Sequence, residues 1–348
     1  MISRRKALVA DLALFSVAVF WGFNFVVIKN VTERLTHTES AYGQGVVAAT
    51  MLYLLFRYIV ATLIFSGIQP RALLRATRRQ WGMGGLLGGF YLTALILQTI
   101  GLQYTTPGKS GFITGLSVAM VPFLYWAVAR RSPGWFQALG AIVATVGLGI
   151  LSLRGNLTVS WGDALTLIGA LLYALHIMTT GFFAPKVPPS TLAVTQMAVS
   201  TVLLVVITPF VAHLTLALGW QAWVEILWTA LSGTIYAFFI QSWAQRFTTS
   251  THAAVLLCFE SVFAAISGII FGMDVVTLRL ITGASLIFSG TLIIELLPGA
   301  GPTRNEAPAE ALVAIEAGGS TGEPIEPGGS GAADQPAIGA RDPDHPRD

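Results

Sequence analysis

Charge is scarce in this chain. Asp, Glu, Lys and Arg make up 11% of its 348 residues, less than half the ~25% of a typical soluble domain, which excludes a water-facing globule for most of its length. Cysteine is nearly missing. Cys258 is the only one, so no intramolecular disulfide braces the fold, and no second His or Cys stands at metal-ligand spacing from His176, so no metal site is expected. The alternation of apolar and polar residues that marks membrane strands is absent, which argues against a β-barrel. Basic residues clustered on a soluble face are lacking too, so no nucleic-acid partner is expected. What the chain has in place of these is apolar sequence: 54% hydrophobic residues and a mean hydropathy of +0.70.

The apolar residues fall into runs of roughly 20, the length of helix that crosses a bilayer. Ten are expected, at 8–28, 44–66, 82–102, 109–129, 135–152, 163–183, 191–213, 223–244, 251–271 and 276–296. Backbone groups in lipid must be bonded within the segment, so each run should be a helix. The first follows Arg4-Arg5-Lys6 like a signal peptide, yet it meets Lys29 without a small-residue cleavage site and is read as a retained helix. From Gly299 onward the composition turns to Gly, Pro, Ala, Glu and Asp. Residues 298–348 are therefore expected to be a disordered acidic tail, either an unselected extension or a regulatory, partner-binding one.

The chain also repeats itself. Shifted by 143 positions, 88–150 lies on 231–293 without a gap, with Gln98 on Gln241, Gly140 on Gly283 and Gly147 on Gly290. Residues 8–152 and 163–297 form two units of five spans each. Charges set their orientation. Residues 1–298 carry 17 Lys/Arg against 8 Asp/Glu, while 299–348 carry 3 against 9. Eleven basic residues, among them Arg4, Arg71, Arg78, Arg130, Lys186 and Arg246, fall on one side of the expected spans, and five, among them Lys29, Lys109 and Arg279, on the other. The positive-inside rule then places both termini in the cytoplasm, in a plasma membrane of the bacterial inner-membrane kind. Five is odd, so the second unit is inverted relative to the first. The fold class read here is all-α integral membrane: ten transmembrane helices as two inverted five-helix repeats around a central cavity.

Ionisable residues deep in a span need a reason. Glu260 sits near the centre of span 9 with no Lys or Arg within a helical turn. Burial penalises its ionised form, and a carboxyl that loads and releases a proton is what a coupled carrier requires; the alternative is a protonated acid bonded to a neighbouring helix. Arg57 in span 2 either pairs with Glu260 or snorkels toward the cytoplasm, about 13 Å away; a guanidinium binds anions but relays no protons. His176, central in span 6, is either an interior hydrogen-bonding group or a second coupling group facing the cavity. Gln98 and Gln241 fall on equivalent positions, as candidates for the cavity wall or for interhelical bonding. Lys109 and His252 are equivalent too, each near a helix start, where a cation opposes the dipole; either attracts a carboxylate or simply sits at the interface. Asp11 and Glu295 lie near the cytoplasmic face and receive no special role. Gly82, Gly84, Gly85, Gly88, Gly89, Gly140 and Gly147 are read as helix-packing residues, and the mid-span Tyr91, Tyr173 and Tyr236 as cavity walls.

These pieces resemble the EamA-type family of drug/metabolite transporters, across residues 8–297. Trp21-Gly22-Phe23-Asn24-Phe25 with Lys29 resembles the family's opening. Phe56-Arg57, the stretch from Gly101 to Phe112 with Pro122, Gly162-Asp163-Ala164-Leu165, and Phe259-Glu260-Ser261-Val262-Phe263-Ala264-Ala265 follow in the family's order. Two places depart from it: Ser261 stands where the family has proline, and Gly272-Met273-Asp274 where it has Leu-Gly-Glu. The resemblance implies a cavity lined by helices 1, 3, 4, 6, 8 and 9, and export of amino acids, other metabolites or drugs without ATP.

The expected function is a secondary exporter of small amphipathic metabolites such as amino acids, working by alternating access, with the lipid bilayer and a small-molecule solute as its partners. No cofactor and no enzymatic activity are expected. The expected cavity residues are Trp21, Asn24, Tyr91, Gln98, Phe112, Tyr173, His176, Tyr236, Gln241 and Glu260, with Glu260 and His176 for coupling and Lys109 and Arg57 as anion contacts. An anion antiporter for phosphorylated metabolites, or a membrane sensor acting through its tail, are the alternatives. Oligomeric state is left open by the sequence.

Overall fold

In the computed structural model, residues 4–37, 45–129, 134–152, 160–248 and 250–297 are described, and among them every regular element is helical. The tail expected at 298–348, and Arg130, Arg131 and Arg154, lie outside them. The elements are α1 (Arg4–His37), α2 (Gly45–Ile68), the short α3 (Pro70–Leu74), α4 (Arg78–Leu102), α5 (Pro107–Ala129), α6 (Trp135–Ser152), α7 (Trp161–Phe183), α8 (Pro189–Ile207), α9 (Trp220–Thr229), α10 (Ala237–Ala244), α11 (Ser250–Ile270) and α12 (Leu278–Leu296). A π-helical segment, Ala230–Tyr236, joins α9 to α10 in one continuous rod. Seven helices of the described residues are long and apolar enough to cross a membrane, with shorter apolar stretches at Ala138–Ile150 and Leu278–Ile293.

Local chemistry explains the helix starts. Pro70 at the first position of α3 gives up an N–H that has no helical partner. Thr77 and Gln80 form a capping box before α4, while Ser160 and Thr277 cap α7 and α12. The first helix runs past its expected end at residue 28 and continues to His37. Its polar last turns are held by the i,i+4 pair Lys29–Glu33 at 3.7 Å and by Arg34, which reaches Glu225 of α9 at 3.6 Å.

Side chains are sorted as they are when lipid is the solvent. Leu63, Ile142 and Val202 are turned outward, while Asn24, Arg57, Gln98, His176 and Gln196 are buried. The main packing partners are α6 with α12, α4 with α7 and α8, α1 with α11, α5 with α11 and α7, and α2 with α8. The α6–α12 contact needs glycine on both sides. A Cβ on Gly147 would lie 2.7 Å from the Gly283 carbonyl oxygen, and one on Gly290 would lie 2.5 Å from that of Gly140. The glycines at the start of α4 divide. Gly84 and Gly88 press on Thr195 and Gln196 of α8, Gly85 makes an ordinary contact with Val199, and Gly82 and Gly89 face open space. The α11 helix runs unbroken through Ser261, the position where the resembling family has proline.

Candidate functional site

The site is built where α1 and α2 meet the π segment. Trp21 donates from Nε1 to the Gly233 carbonyl at 3.1 Å, and Trp228 donates to Asn24 Oδ1 at 2.9 Å. Asn24 Nδ2 reaches Ser232 Oγ at 3.3 Å. Arg57, 1% exposed, donates from Nε to Thr234 Oγ1 at 2.8 Å and from Nη1 to Tyr53 OH at 3.0 Å. Three consecutive residues of the π turn, Ser232, Gly233 and Thr234, thus receive three side chains from two other helices. Gly233 leaves the necessary room, because a Cβ there would lie 2.6 Å from Asn24 Nδ2 and 2.7 Å from Arg57 Nη2. One-turn π insertions of this kind recur at functional sites.

The opposite wall comes from α4, α5 and α7. Gln98 donates to Thr114 Oγ1 at 2.8 Å and accepts from Tyr173 OH at 2.9 Å. His176 Nε2 lies 3.1 Å from Gln196 Oε1, an oxygen that only accepts, so the imidazole donates. Tyr91 is the aromatic hub, with its ring centroid 6.0 Å from that of Trp21, 5.2 Å from Tyr173, 5.0 Å from His176 and 4.6 Å from Phe238. Glu260 is brought in by α11, which Gly22 allows to press on α1: a Cβ on Gly22 would lie 2.6 Å from the Glu260 carbonyl oxygen.

These walls line a cavity of about 40 Å³, counted as the space open to the centre of a water, which is room for roughly three waters. Trp21, Asn24, Arg57, Tyr91, Gln98, Tyr173, His176 and Glu260 all line it. Three other expected cavity residues lie elsewhere. Phe112 packs with Leu116, Ala144, Ala265 and Ile287. Tyr236 shares a 2.7 Å hydrogen bond with Ser16 and sets its ring against Phe20. Gln241 is buried, and its Nε2 has no hydrogen-bond partner among the described residues. The repeat pairs it with Gln98, but the π turn precedes Gln241 in its helix while α4 is regular throughout, and an inserted residue turns the helix face that follows it.

Arg57 neither pairs with Glu260 nor snorkels to the surface. Among the described residues the ion pairs are Lys29–Glu33, Arg34–Glu225, Lys109–Asp163 and His252–Asp11, and neither Arg57 nor Glu260 belongs to one. The cavity therefore holds one cation and one carboxyl, each without an opposite charge of the protein's own. Lys109 is not at the cavity: its Nζ lies 2.6 Å from Asp163 Oδ2. Asp274 takes the acceptor's place at the start of α5, accepting from the Gly108 N–H at 2.7 Å. Residues the sequence reading passed over also line the cavity, among them Thr114, Ser117 and Cys258. Thr114 and Ser117 carried a usable signal, as polar residues one helical turn apart in an apolar span. Cys258 is the 143-shift partner of Gly115, which lines the cavity as well.

Apolar side chains outside and a polar cavity inside define a multi-pass helical membrane protein with its chemistry in its interior. The EamA-like transporter family matches the chain twice, at residues 8–153 and 160–296, and the chain belongs to that family. It is 28% identical to an uncharacterized transporter of Archaeoglobus fulgidus over 295 residues, 84% of this chain and 87% of that protein. It is 26% identical to the uncharacterized transporter YyaM of Bacillus subtilis over 205 residues, 57% of this chain and 64% of that one. A solved crystal structure shares the fold at a TM-score of 0.58 and 14% identity, over 82% of this chain and 96% of its own. The protein is a membrane transporter.

Proposed function

We propose that the chain is a secondary exporter of zwitterionic amphipathic metabolites, amino acids first among them. Its cavity alternates between two faces of a bundle of ten spans built as two inverted repeats. The observation that carries this reading is the pair of charges, unmatched among the described residues, in one cavity. A solute bearing a carboxylate and an ammonium supplies what each lacks: Arg57 takes the anion, Glu260 the cation, and the rings of Trp21, Tyr91 and Tyr173 take the apolar part. Burying such charges without partners is costly, so a solute that completes them is bound at their expense. The alternative of an anion antiporter needs several free cations at the cavity, and Lys109 is taken up by Asp163.

The repeat reading is supported by the pattern of helix contacts. If α1, α2, α4, α5 and α6 recur as α7, α8, α9–α10, α11 and α12, then α1 on α11 mirrors α7 on α5, and α4 on α7 mirrors α9–α10 on α1. The pairs α2–α8, α5–α11 and α6–α12 map onto themselves. Cavity residues follow the same rule. Trp21 and Tyr173 are each the fourteenth residue of their family match, and Asn24 and His176 the seventeenth. A cavity on the relating axis is where such folds place their solute.

The three-water cavity admits no amino acid, so binding requires the helices to part. Glu260 is the coupling group of the proposal, because Arg57 does not give up its proton and His176 is engaged by Gln196. The test is uptake of labelled amino acids into proteoliposomes with and without an imposed pH gradient, wild type beside Glu260→Gln. Gradient-driven accumulation that disappears in the variant while counterflow survives is the expected result. Wild-type transport indifferent to both gradient and substitution would leave a facilitative carrier with a structural Glu260.

A further inference from the structure

Two of the ion pairs that join helices in this bundle are the same pair written twice. Lys109 and His252 are equivalent under the 143-residue repeat, and Asp163 and Asp11 are each the fourth residue of a family match. Lys109 meets Asp163 where α5 and α7 begin, and His252 meets Asp11 where α11 and α1 begin. They stand at opposite ends of the molecule. Lys29 Nζ bonds the carbonyls of Leu102 and Thr105 in the turn before α5, so that part of α1 lies at the Lys109 end. Asp11 lies 18 residues earlier on the same helix, roughly 27 Å away along the axis. The contact of Asp274 with the Gly108 N–H agrees, since it sets the end of α11 beside the start of α5.

Extending the transport reading, on which this rests, we propose that the two pairs are opposed latches of the cavity, one at each face, and that only the His252 latch is released by loss of a proton. Both are formed here, and the cavity between them has room for roughly three waters. Each clasps the starts of helices that also wall the cavity: α1 and α11 carry Trp21, Asn24 and Glu260, while α5 and α7 carry Thr114, Tyr173 and His176. Opening either face must separate the pair at that face. Their chemistry differs. A lysine is charged throughout the physiological range, whereas a histidine holds a carboxylate as an ion pair only while protonated. Their settings differ as well. Asp163 is 2% exposed in its side chain and lies 2.6 Å from its partner, against 31% and 3.2 Å for Asp11. The Lys109 latch is the tight, permanent one, and the His252 latch the loose, switchable one. On the elements nearest that pair the other described charged groups are Lys6 on α1, Arg246 in the turn before α11, and Lys186 after α7, whose Gly181 abuts Ser250; Arg71, Arg75, Arg78 and Arg79 stand on the same side on α3, the turn after it and the start of α4, and α5 and α12 bring no described charged side chain to that end.

The protein carries its own probe. Cys258 is the only cysteine in the chain and lines the cavity, so its modification by a membrane-impermeant cationic methanethiosulfonate reports the face to which the cavity is open. Full-length protein is labelled from each side, in right-side-out and in inside-out membrane vesicles. Lys109→Gln is expected to speed labelling only from the Lys109 face, by about tenfold or more for a pair with a buried member. Asp11→Asn should speed it only from the opposite face, by about three- to fivefold for a half-exposed pair. His252→Lys makes the second latch permanent. From its face, wild-type labelling relative to His252→Lys should fall several-fold on acidification, a ratio that cancels the reagent's own pH dependence. The exchange Lys109→Asp with Asp163→Lys should return labelling to the wild-type rate, which separates a lost latch from a misfolded bundle. Both single variants opening the same face, or neither altering labelling, overturns the proposal. So does a pH-independent ratio. No solute enters this assay, so the latches fail or stand separately from solute accumulation in the transport assay.

Discussion

Arg57 is the residue whose placement sets the terms of the site. A guanidinium removed from water costs several kcal/mol even after relaxation, against which its bonds to Tyr53 and Thr234 return about 1.5–3 kcal/mol each and the Tyr53 ring adds a contact at 5.9 Å. These partners are neutral, so on the proposed reading the opposite charge at Arg57 comes from the solute. Arg57→Met should raise the melting temperature in detergent by about 2–4 °C while the KM for zwitterionic solutes rises more than about tenfold. A lower melting temperature would make the guanidinium a structural support. The sequence marked Arg57 as a charge needing an explanation but offered two partners, Glu260 and the membrane surface, neither of which it uses. Its real partners are hydroxyl groups, one of them on a helix 177 positions away, and a neutral partner at that distance leaves no trace in spacing. Asp11 was unreadable for a related reason: it looks like any acid near a helix start until the fold brings His252 to it.

At the scale of elements, small residues decide how closely helices approach. Gly147 and Gly290 each meet backbone of the facing helix, which cannot move aside as a side chain can. Gly147→Ala and Gly290→Ala should each cost about 1–3 kcal/mol, and by similar amounts, since each contact is the repeat of the other. Gly89→Ala, with nothing within 4 Å, should instead gain about 0.5–1 kcal/mol from helix propensity. Thermal or SDS unfolding of the three variants measures this, and equal losses at all three positions would deny the close approach. The apolar runs made the helices legible because bilayer thickness and backbone bonding leave one solution for such a run. The repeat likewise showed which glycines belong together. The π turn was not legible. A bond to i+5 in place of i+4 changes no composition and little periodicity, and the partners that fix it, Trp21, Asn24 and Arg57, lie on other helices. That turn separates Gln98, at the cavity, from Gln241, which is not.

For the molecule as a whole, the number of spans per unit decides which latch faces the cell interior. An even count would leave both units in the same orientation and set Lys109 and His252 at one face. The contacts of Lys29 and Asp274 set them at two. If the eleven basic residues on the side of Arg71, Arg78, Lys186 and Arg246, against five on the other, follow the positive-inside rule, the His252 end faces the cytoplasm. A fluorescent protein fused after Leu297 should fluoresce, and alkaline phosphatase fused after Ser152, between the two units, should be active outside the cytoplasm. The same truncation at Leu297 without a reporter should leave transport unchanged, because each helix that walls the cavity lies before it. Phosphatase active at both junctions would mean an even count in the second unit, and the inverted arrangement would fall with it. The expected pattern makes the histidine latch the one exposed to cytoplasmic pH. A fall in internal pH would then hold the cavity shut toward the cell interior, and a solute loaded from that side would be admitted fastest when the cytoplasm is least acidic.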